Sequence, residues 1–306
     1  MIYDCFPFFN ELDVLEIRLS LLYDHVDKFI LVEAKQTYSY KDKPLYYEEN
    51  KQRFARFHDK IEHLIVEKFP ESKDPWIPER LQRDSMINSL KNCSDDDIII
   101  VSDVDEIPDP VLYKRNIDKL YHIEMPFYYF YLNYEVNQMW NKSYISPFRD
   151  IKGNSLTTLR MSIAPEIPYK GEFSFHVSFL FGNDYEKYIH KTKSFAHHEY
   201  NRPTICNINH VRCCLKYGID MFMRPDYSLK YKKNKALIKN PAFAEYKQYY
   251  LKRNIFSLIP TIGDLKAFWG IYMFKNYPFT NPDNPFLNTL KYVLKDKITK
   301  AFSHKK

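Results

Sequence analysis

The first hundred residues alternate short apolar runs with longer segments whose apolar residues recur as they do on one face of a helix. The apolar runs are continuous, which is typical of strands that are covered on both faces. Strands and helices in turn favour an α/β fold with a mostly parallel sheet flanked by helices. We predict strands at 2–9, 29–32, 61–66 and 98–101, and helices at 11–23 and 79–90.

The pattern changes after about residue 120. Tyrosine and phenylalanine crowd the segment 121–134, and we predict strands there and at 156–163 and 173–181. Beyond about residue 200 the pattern becomes helical and basic. Because no repeat or low-complexity linker divides the chain, we predict one α/β domain over 1–200 that continues into a helical, basic C-terminal extension over 201–306.

The composition is that of a soluble globular protein, with 306 residues of which 45% are hydrophobic and 27% charged. The five cysteines are odd in number and irregularly spaced, so we expect reduced thiols rather than a disulfide framework. The N-terminal sequence lacks the basic segment and apolar core of a signal peptide, and no apolar run is long enough to span a membrane. We therefore expect a cytoplasmic protein.

The formal net charge of +6 is concentrated near the end of the sequence. From residue 291 onward the chain carries six lysines and one aspartate, with apolar residues between them at roughly helical spacing. This pattern is typical of a basic amphipathic helix on an anionic membrane surface, and equally of a terminal helix packed on its own domain. The basic stretch 216–252 lacks a recognised nucleic-acid-binding module, so we expect no nucleic-acid partner.

The candidate chemistry lies where the apolar run 98–101 ends. Asp103 and Asp105 follow it directly, and Pro108 soon ends the regular structure. Ligands of open α/β sheets bind beyond the carboxyl ends of the strands. Residues i and i+2 of an extended backbone share a face, so we expect both carboxylates to converge on one Mg²⁺ or Mn²⁺ ion. The alternative is an ordinary acidic surface turn, which is how we interpret the neighbouring acids 95–97.

Several further segments accompany Asp103–Pro108 in a fixed order along the chain. They are 8–18, 26–34, Thr37, 43–45, 82–84, 175–178 and 194–199. Together they resemble glycosyltransferase family 17, the β-1,4-N-acetylglucosaminyltransferases related to the enzyme that adds the bisecting residue to N-glycans. The resemblance covers about residues 1–200. It implies a GT-A (Rossmann-like) fold, an inverting mechanism, a UDP-sugar donor and a Mn²⁺ or Mg²⁺ cofactor.

The sequence departs from the family pattern at two places. Tyr40 and Asp42 stand in the loop after the second strand, where family members tend to carry Gly and Pro. Ser174 and Phe175 replace a Gly-Trp pair that usually precedes the histidine at 176. The first change is expected to alter the nucleotide pocket, and the second removes an indole that could stack on a sugar.

Roles for the metal and donor residues follow from these positions. We expect Asp105 to contact the metal directly, and Asp103 to reach it through water or to hold the ribose. A histidine from a late loop, His197, is the expected third metal ligand. The remaining donor-binding residues are expected to be Glu33, Thr37 and Arg83. A surface carboxylate at Glu33 and a structural salt bridge at Arg83 stay open as alternatives.

An inverting transfer needs a general base to take the proton of the attacking hydroxyl. Glu199 is the preferred candidate because it closes the last matching segment, and Glu172 and Asp184 stay open. Glu106 is expected to orient the donor or to act through its neighbours, with a helix N-terminal acid as the alternative. His176 is expected to form a wall of the catalytic site.

The function expected from this combination is transfer of a sugar, N-acetylglucosamine by resemblance, from a UDP-sugar to an acceptor hydroxyl. A glycan, a glycoprotein or a lipid-linked glycan is the expected acceptor. The basic tail is expected to provide peripheral membrane contact, with packing on its own domain as the alternative. The altered loop at Tyr40 and Asp42 supports an alternative, in which the chain is an inactive carbohydrate- or nucleotide-binding protein that keeps the transferase fold.

Overall fold

The computed structural model describes residues 1–170, 173–224, 227–231, 246–251 and 260–267. The helices are α1 (Leu12–Leu22), α2 (Tyr46–Glu49), α3 (Ile77–Ser85), α4 (Phe148–Ile151), α5 (Leu156–Arg160), α6 (Tyr185–Ser194) and α7 (Ile208–Tyr217). The strands are β1 (Ile2–Pro7), β2 (Lys28–Ala34), β3 (Ile61–Val66), β4 (Ile98–Val101), β5 (Glu106–Ile107), β6 (Tyr121–Ile123), β7 (Met125–Tyr129), β8 (Tyr134–Trp140), β9 (Tyr144–Pro147), β10 (Glu166–Ile167), β11 (Phe175–Ser178) and β12 (Leu229–Tyr231).

Seven strands form the larger sheet, in the order β10-β6-β9-β4-β1-β2-β3. β1 lies between β2 and β4 and is parallel to both, and β3 is parallel to β2. β9 is antiparallel to both β4 and β6, so the sheet is mixed. The α/β fold with a mostly parallel sheet flanked by helices is confirmed, and it is compatible with a GT-A-like fold. Because β1, β2, β3 and β4 are parallel, their carboxyl ends lie on the same side of this sheet.

Both faces of β1, β2 and β4 are buried, which is why their sequences are predominantly apolar, whereas β3 at the edge of the sheet is half-buried. Successive residues of β1, β2 and β4 alternate between two apolar clusters. One cluster, which also contains apolar residues of α1, includes Phe6, Phe29, Leu31 and Ile100. The other, which packs against the segments 86–90 and 144–156, includes Cys5, Ile30, Val32, Ile99 and Val101.

A second sheet of five strands has the order β12-β8-β7-β11-β5. β5 is only two residues long and begins directly after Asp105, so this sheet starts at the candidate site. β11 lies between β5 and β7, antiparallel to the first and parallel to the second. The register places His176 beside Glu106 on β5 and beside Phe127 on β7.

The chain divides into two compact units. The first contains the described residues of 1–182, 194–198 and 230–251, and the second those of 183–193, 199–229 and 252–306. Within the second unit, α7 begins at the cap Asn207, whose side chain accepts from the Asn209 backbone N–H, and ends at Gly218 with φ +66°. The predicted domain boundary at residue 200 stays a prediction.

One predicted strand is wrong. The segment 156–163 forms α5 and a following turn rather than a strand. Ser155 supplies the reason, because its Oγ accepts from the Thr158 backbone N–H and so caps the first turn of the helix. In the predicted helical region beyond residue 200, β12 is a strand. The other elements of the first hundred residues match their predictions to within a few residues.

The described helices include none that is long and apolar enough to cross a membrane. The basic tail from residue 291 and the alternative base Glu172 lie outside the described residues. Their predicted roles therefore stay predictions.

Candidate functional site

The two candidate aspartates lie on a tight turn and not on extended backbone. The backbone N–H of Glu106 donates to the carbonyl of Asp103 at 2.9 Å, which closes a four-residue turn directly after β4. Val104, the middle residue, is 4% exposed and belongs to the larger apolar cluster. The expectation that the aspartates share a face of a strand is therefore wrong. A buried apolar residue between them turns the backbone, and their side chains have different partners.

Arg18 of α1 stabilises this turn through hydrogen bonds to its backbone. The guanidinium is fully buried and bonds both carboxylate oxygens of Asp4 on β1, at 2.8 and 2.5 Å. It also donates to the turn carbonyls of Asp103 at 3.0 Å and Glu106 at 2.7 Å. A fixed cation thus supplies a donor to the Glu106 carbonyl and a second donor to the Asp103 carbonyl, which also accepts from the Glu106 backbone N–H. The Asp4–Arg18 pair makes the turn part of the core.

Asp103 is clamped between two arginines. Arg83 of α3 donates to its Oδ1 at 2.8 Å, and Arg160 at the end of α5 donates to its Oδ2 at 2.9 Å. Desolvation of the carboxylate opposes its ionisation, but the Arg160 and Arg83 guanidiniums outweigh this and hold the pKa of Asp103 well below its usual range. Arg83 thus forms a salt bridge with Asp103, its predicted contact with the donor stays a prediction, and Asp103 is ionised at neutral pH.

Glu106 lies beneath the turn and is completely buried. Its carboxylate accepts from Trp140 Nε1 at 2.6 Å, Ser143 Oγ at 2.7 Å and Arg160 Nη1 at 2.8 Å, and from the Asp103 backbone N–H at 2.9 Å. With these donors around it, Glu106 positions the turn and Arg160. This location agrees with action through neighbouring residues, and a direct catalytic role stays a prediction.

Asp105 faces His176 on β11. The distance from Asp105 Oδ1 to His176 Nε2 is 3.5 Å, and only 10% and 6% of the two side chains are exposed. The backbone N–H of Val177 donates to the Asp105 carbonyl at 2.8 Å, which fastens β11 to the turn. The imidazole lies against the rings of Phe127 and Trp140, with centroid distances of 4.4 Å to each. The structure thus brings together His176 and Asp105, which are 71 positions apart in the sequence.

Glu33 is buried at the end of β2, and its carboxylate accepts hydrogen bonds from the segment that follows this strand. Oε1 accepts from Lys43 Nζ at 3.1 Å and from the Tyr46 backbone N–H at 2.5 Å, and Oε2 accepts from the Tyr47 backbone N–H at 3.1 Å. The carboxylate therefore fixes the segment that begins α2 and is not a surface group. Its contact with a nucleotide stays a prediction.

Thr37 organises the loop that follows β2. Its Oγ1 lies 3.0 Å from Ser39 Oγ and accepts from the Lys41 backbone N–H at 3.1 Å. Within this loop Tyr40 has φ +61°, a left-handed conformation that Gly adopts readily and a tyrosine rarely does. The loop therefore keeps a backbone suited to the glycine of the family pattern although the residue differs.

A cavity of about 600 Å³ lies beside this loop, at the ends of β2 and β3. Its lining consists of Lys35, Gln36, Asp42, Lys43, Pro44, Leu45, Glu67 and Lys68. Neither Asp103 nor Asp105 lines it. The cavity is therefore separate from the turn, although both lie at the carboxyl ends of the parallel strands.

The remaining candidates are His197, Glu199 and Asp184. His197 packs edge-on against Trp76, with ring centroids 4.7 Å apart. Glu199 is exposed in the single-turn helix His198–Tyr200 of the second unit. Asp184, also in that unit, is exposed and pairs with Lys187 at 3.3 Å. Their roles as metal ligand or general base stay predictions.

The described side chains include no group of three carboxylates, histidines or cysteines that could hold a metal ion by themselves. The pair formed by Asp105 and His176 nevertheless supplies two donors of the right kind at 3.5 Å. Mg²⁺ and Mn²⁺ sites commonly use one or two protein ligands and complete their shell with phosphate oxygens and water. Asp105 and His176 are thus compatible with a divalent cation that takes further ligands from elsewhere, and the cofactor stays a prediction.

Comparison with known proteins decides the family. The model of glycosyltransferase family 17 matches residues 1–240, well over half of the chain. This chain belongs to glycosyltransferase family 17. The resemblance noted from its sequence segments is confirmed.

Three relatives resemble part of this family 17 chain. The human and rat proteins named β-1,4-mannosyl-glycoprotein 4-β-N-acetylglucosaminyltransferase are each 30% identical to it over 119 residues, and the mouse protein of that name is 29% identical. The aligned part covers 36% of this chain and 22% of each relative. The alignment thus spans about a fifth of the length of the relatives that it matches.

Two residues that contact the turn, Arg160 and Trp140, were not predicted from the sequence. Arg160 lay within a segment predicted as a strand, so nothing marked it as a partner of Asp103. Trp140 lay in an aromatic-rich region where the general excess of aromatic residues hid it. Arg18 belonged to a matching segment, but its partners are remote in sequence. For Arg18, the only signal in the sequence was that a charged residue interrupts the apolar face of a buried helix.

Proposed function

We propose that this chain transfers a sugar, with N-acetylglucosamine the first candidate, from a UDP-sugar to a hydroxyl of a glycan, glycoprotein or lipid-linked acceptor. The proposal includes dependence on Mn²⁺ or Mg²⁺ and inversion at the transferred carbon. The observation that carries it is the Asp103–Glu106 turn at the end of a central parallel strand, in a chain of glycosyltransferase family 17. The names of the three relatives support the choice of sugar.

The charges around the turn suit an activated sugar diphosphate. Asp105 would hold the cation, which when bound supplies Lewis-acid stabilisation of the diphosphate leaving group. Arg83 is 3% exposed, and its Nε has no hydrogen-bond partner in the described part of the chain. It therefore keeps an unused, buried donor beside Asp103, and under the proposal its guanidinium charge attracts the diphosphate. Asp103, held by two guanidiniums, would position these cations and accept from a ribose hydroxyl.

The acceptor hydroxyl must lose a proton as it attacks, and Glu199 remains the proposed base. Its exposure leaves the carboxylate accessible to solvent. Replacing Glu199 by Gln keeps the size of the side chain and removes its basicity. Under the proposal this variant binds UDP with Mn²⁺ as the wild type does but transfers sugar at least about a hundredfold more slowly.

The test of the proposed function is a screen of UDP-sugars for metal-dependent UDP release, followed by variants of Asp105. We expect Asp105→Ala to abolish UDP release while its unfolding transition stays cooperative. Asp95→Ala is the matched control, because Asp95 is exposed and pairs only with Lys152, at 3.6 Å in the described part. Full activity of Asp105→Ala, or of the wild type in excess chelator, would refute metal-dependent transfer.

The alternative of an inactive binding protein is supported by the residue changes in the loop after β2, where Tyr40 and Asp42 stand in place of the Gly and Pro of the family pattern. Calorimetry with UDP and Mn²⁺ separates the two proposals. A transferase binds UDP more tightly when Mn²⁺ is present, whereas an inactive module shows no metal-dependent nucleotide binding.

A further inference from the structure

Trp76 stands at the start of α3 with part of its indole open to solvent. The residue is 37% exposed, whereas a tryptophan in a folded protein is on average highly buried. Its backbone N–H donates to Asp74 Oδ1 at 3.0 Å, and the Asp74 carboxylate pairs with Arg80. The Arg80 backbone N–H in turn donates to the Trp76 carbonyl at 3.0 Å. The exposed ring is thus carried on a backbone that its neighbours hold in place.

The direction of α3 carries Trp76 past the carboxyl ends of the parallel strands. Gln82 Nε2 donates to the carbonyl of Val32, near the end of β2, at 2.9 Å. Further along the chain, Met86 and Leu90 pack among the buried residues of β1, β2 and β4. The start of α3 therefore extends in the opposite direction, beyond the strand ends. Ligands of open α/β sheets bind in that place.

A row of aromatic rings joins Trp76 to β11. Phe179 follows directly after β11, and its ring centroid is 6.2 Å from that of Phe195. The ring of Phe195 lies 5.3 Å from that of His197, which lies 4.7 Å from the indole of Trp76. All four rings belong to the first compact unit. The row therefore links β11 to α3, and both elements also contact the Asp103–Glu106 turn.

The open part of the indole suits one sugar ring. The planes of Trp76 and His197 meet at 85°, so an edge of one ring makes the contact and part of the indole stays uncovered. The C–H face of a hexose is apolar and stacks on aromatic rings, while its hydroxyl groups need polar neighbours. Glu79 and Arg80, both partly exposed, provide these on the first turn of α3. One indole among charged side chains is too small a patch for a stable protein interface.

We propose that Trp76, supported by His197, is the surface on which a sugar ring of the acceptor stacks. This inference rests on the proposed function and adds a residue that determines acceptor specificity. An α-helix rises about 1.5 Å per residue, so Trp76 lies about 10 Å along α3 from Arg83, which contacts Asp103. The stacked ring is therefore a neighbour of the sugar that reacts. Acceptors of several sugars should bind better than a monosaccharide.

The first experiment observes the indole itself by NMR of the full chain with ¹⁵N-labelled tryptophan, in the presence of UDP and Mg²⁺. Loss of one indole N–H signal in Trp76→Phe assigns the signal of Trp76. We expect mannotriose or triacetylchitotriose to shift this signal, and methyl mannoside to shift it much less. If neither trisaccharide shifts the signal, the inference is overturned. Because the screen for UDP release needs no such glycan, it tests the proposed function separately.

The second experiment measures the affinity of variants for the same trisaccharides and for UDP with Mn²⁺. Trp76→Ala should bind the trisaccharides at least about tenfold more weakly and UDP as the wild type does, since truncation of a buried aromatic contact commonly costs that much. Trp76→Phe, which keeps a ring, should lose less. Leu81→Ala is the matched control, because Leu81 is 40% exposed on the same helix, and it should change neither affinity.

The remaining outcomes separate the inference from the function on which it rests. If Trp76→Ala weakens the binding of UDP instead, Trp76 holds the nucleotide and the assignment to the acceptor is wrong. An equal loss of trisaccharide affinity in Leu81→Ala would show a general effect on α3 and would also overturn the inference. If the trisaccharides shift the Trp76 signal but no UDP-sugar is consumed, the glycan site stands and the proposed transferase function fails.

Discussion

At the scale of single residues, the turn that carries Asp103 and Asp105 depends on the buried ion pair between Arg18 and Asp4. Arg18 and Asp4 are both fully buried, and the same guanidinium bonds carbonyls of the turn. Removal of one member of a buried pair leaves the other charge without compensation. The turn is therefore stabilised by an interaction that no substrate touches.

Arg18→Met should lower the free energy of unfolding by about 3–5 kcal/mol, because it strands the Asp4 carboxylate in the core. Urea denaturation at neutral pH measures the change. Arg56→Met is the matched control: Arg56 is 63% exposed, so its loss should cost no more than about 1 kcal/mol. Equal losses in the two variants would contradict the structural role of Arg18.

The clamp on Asp103 predicts a dependence of stability on pH. The pKa of Asp103 is lowered in the folded chain relative to about 3.9 in the unfolded chain. Ionised Asp103 therefore contributes stability that is fully present above about pH 5 and is lost as the pH falls through the folded pKa. The difference in unfolding free energy between wild type and Asp103→Asn should be largest at neutral pH and shrink below about pH 4.

Urea unfolding of both proteins at neutral and acidic pH measures that difference. Asp96→Asn serves as the control, since the Asp96 side chain is 90% exposed. If the difference in unfolding free energy between wild type and Asp103→Asn stays constant down to pH 3, the arginines do not stabilise the charge of Asp103.

At the scale of elements, α3 and α5 together deliver the two arginines to Asp103. The side chain of Asp84 on α3 joins them, because it accepts from Ser155 Oγ at 2.8 Å and from the Thr157 backbone N–H at 2.8 Å. The same Ser155 caps α5. One serine therefore sets both the start of the helix and its position against α3.

Ser155→Ala should cost about 1 kcal/mol of stability through the lost cap. It should also weaken the binding of UDP with Mn²⁺, because Arg160 at the far end of α5 is displaced. Thermal unfolding and calorimetry measure the two effects. Ser162→Ala is the control, since the hydroxyl that it removes is exposed and donates to the Leu159 carbonyl at 2.7 Å. A loss of stability without any loss of affinity would separate α5 from the nucleotide site.

At the scale of the whole molecule, the proposed membrane contact depends on the charge of the C-terminal tail. Removal of residues 291–306 takes away six lysines and one aspartate, so the formal net charge falls from +6 to +1. The truncated chain should bind anionic phospholipid vesicles more weakly in co-sedimentation, and added salt should weaken the binding of the full chain. Equal binding of both chains would exclude the tail as the membrane contact.

The sequence by itself determined the parallel core and the location of the acidic turn. Apolar runs such as 98–101 are local signals, and burial on both faces leaves few alternatives to a strand in a parallel sheet. The family was likewise recognisable, because segments that resemble it follow its order along about residues 1–200, and the family model matches residues 1–240. Asp103 and Asp105 were found because they directly follow such a strand.

Only the tertiary structure decided which side chains meet there. Arg160 reaches Asp103 from 57 positions away, and His176 reaches Asp105 across a strand pairing that no local pattern encodes. Glu33 and Glu106 are both buried and find their hydrogen-bond donors within the protein, and their predicted contacts with ligands stay predictions. A sequence pattern identifies groups that can do chemistry, whereas their partners depend on how distant segments pack.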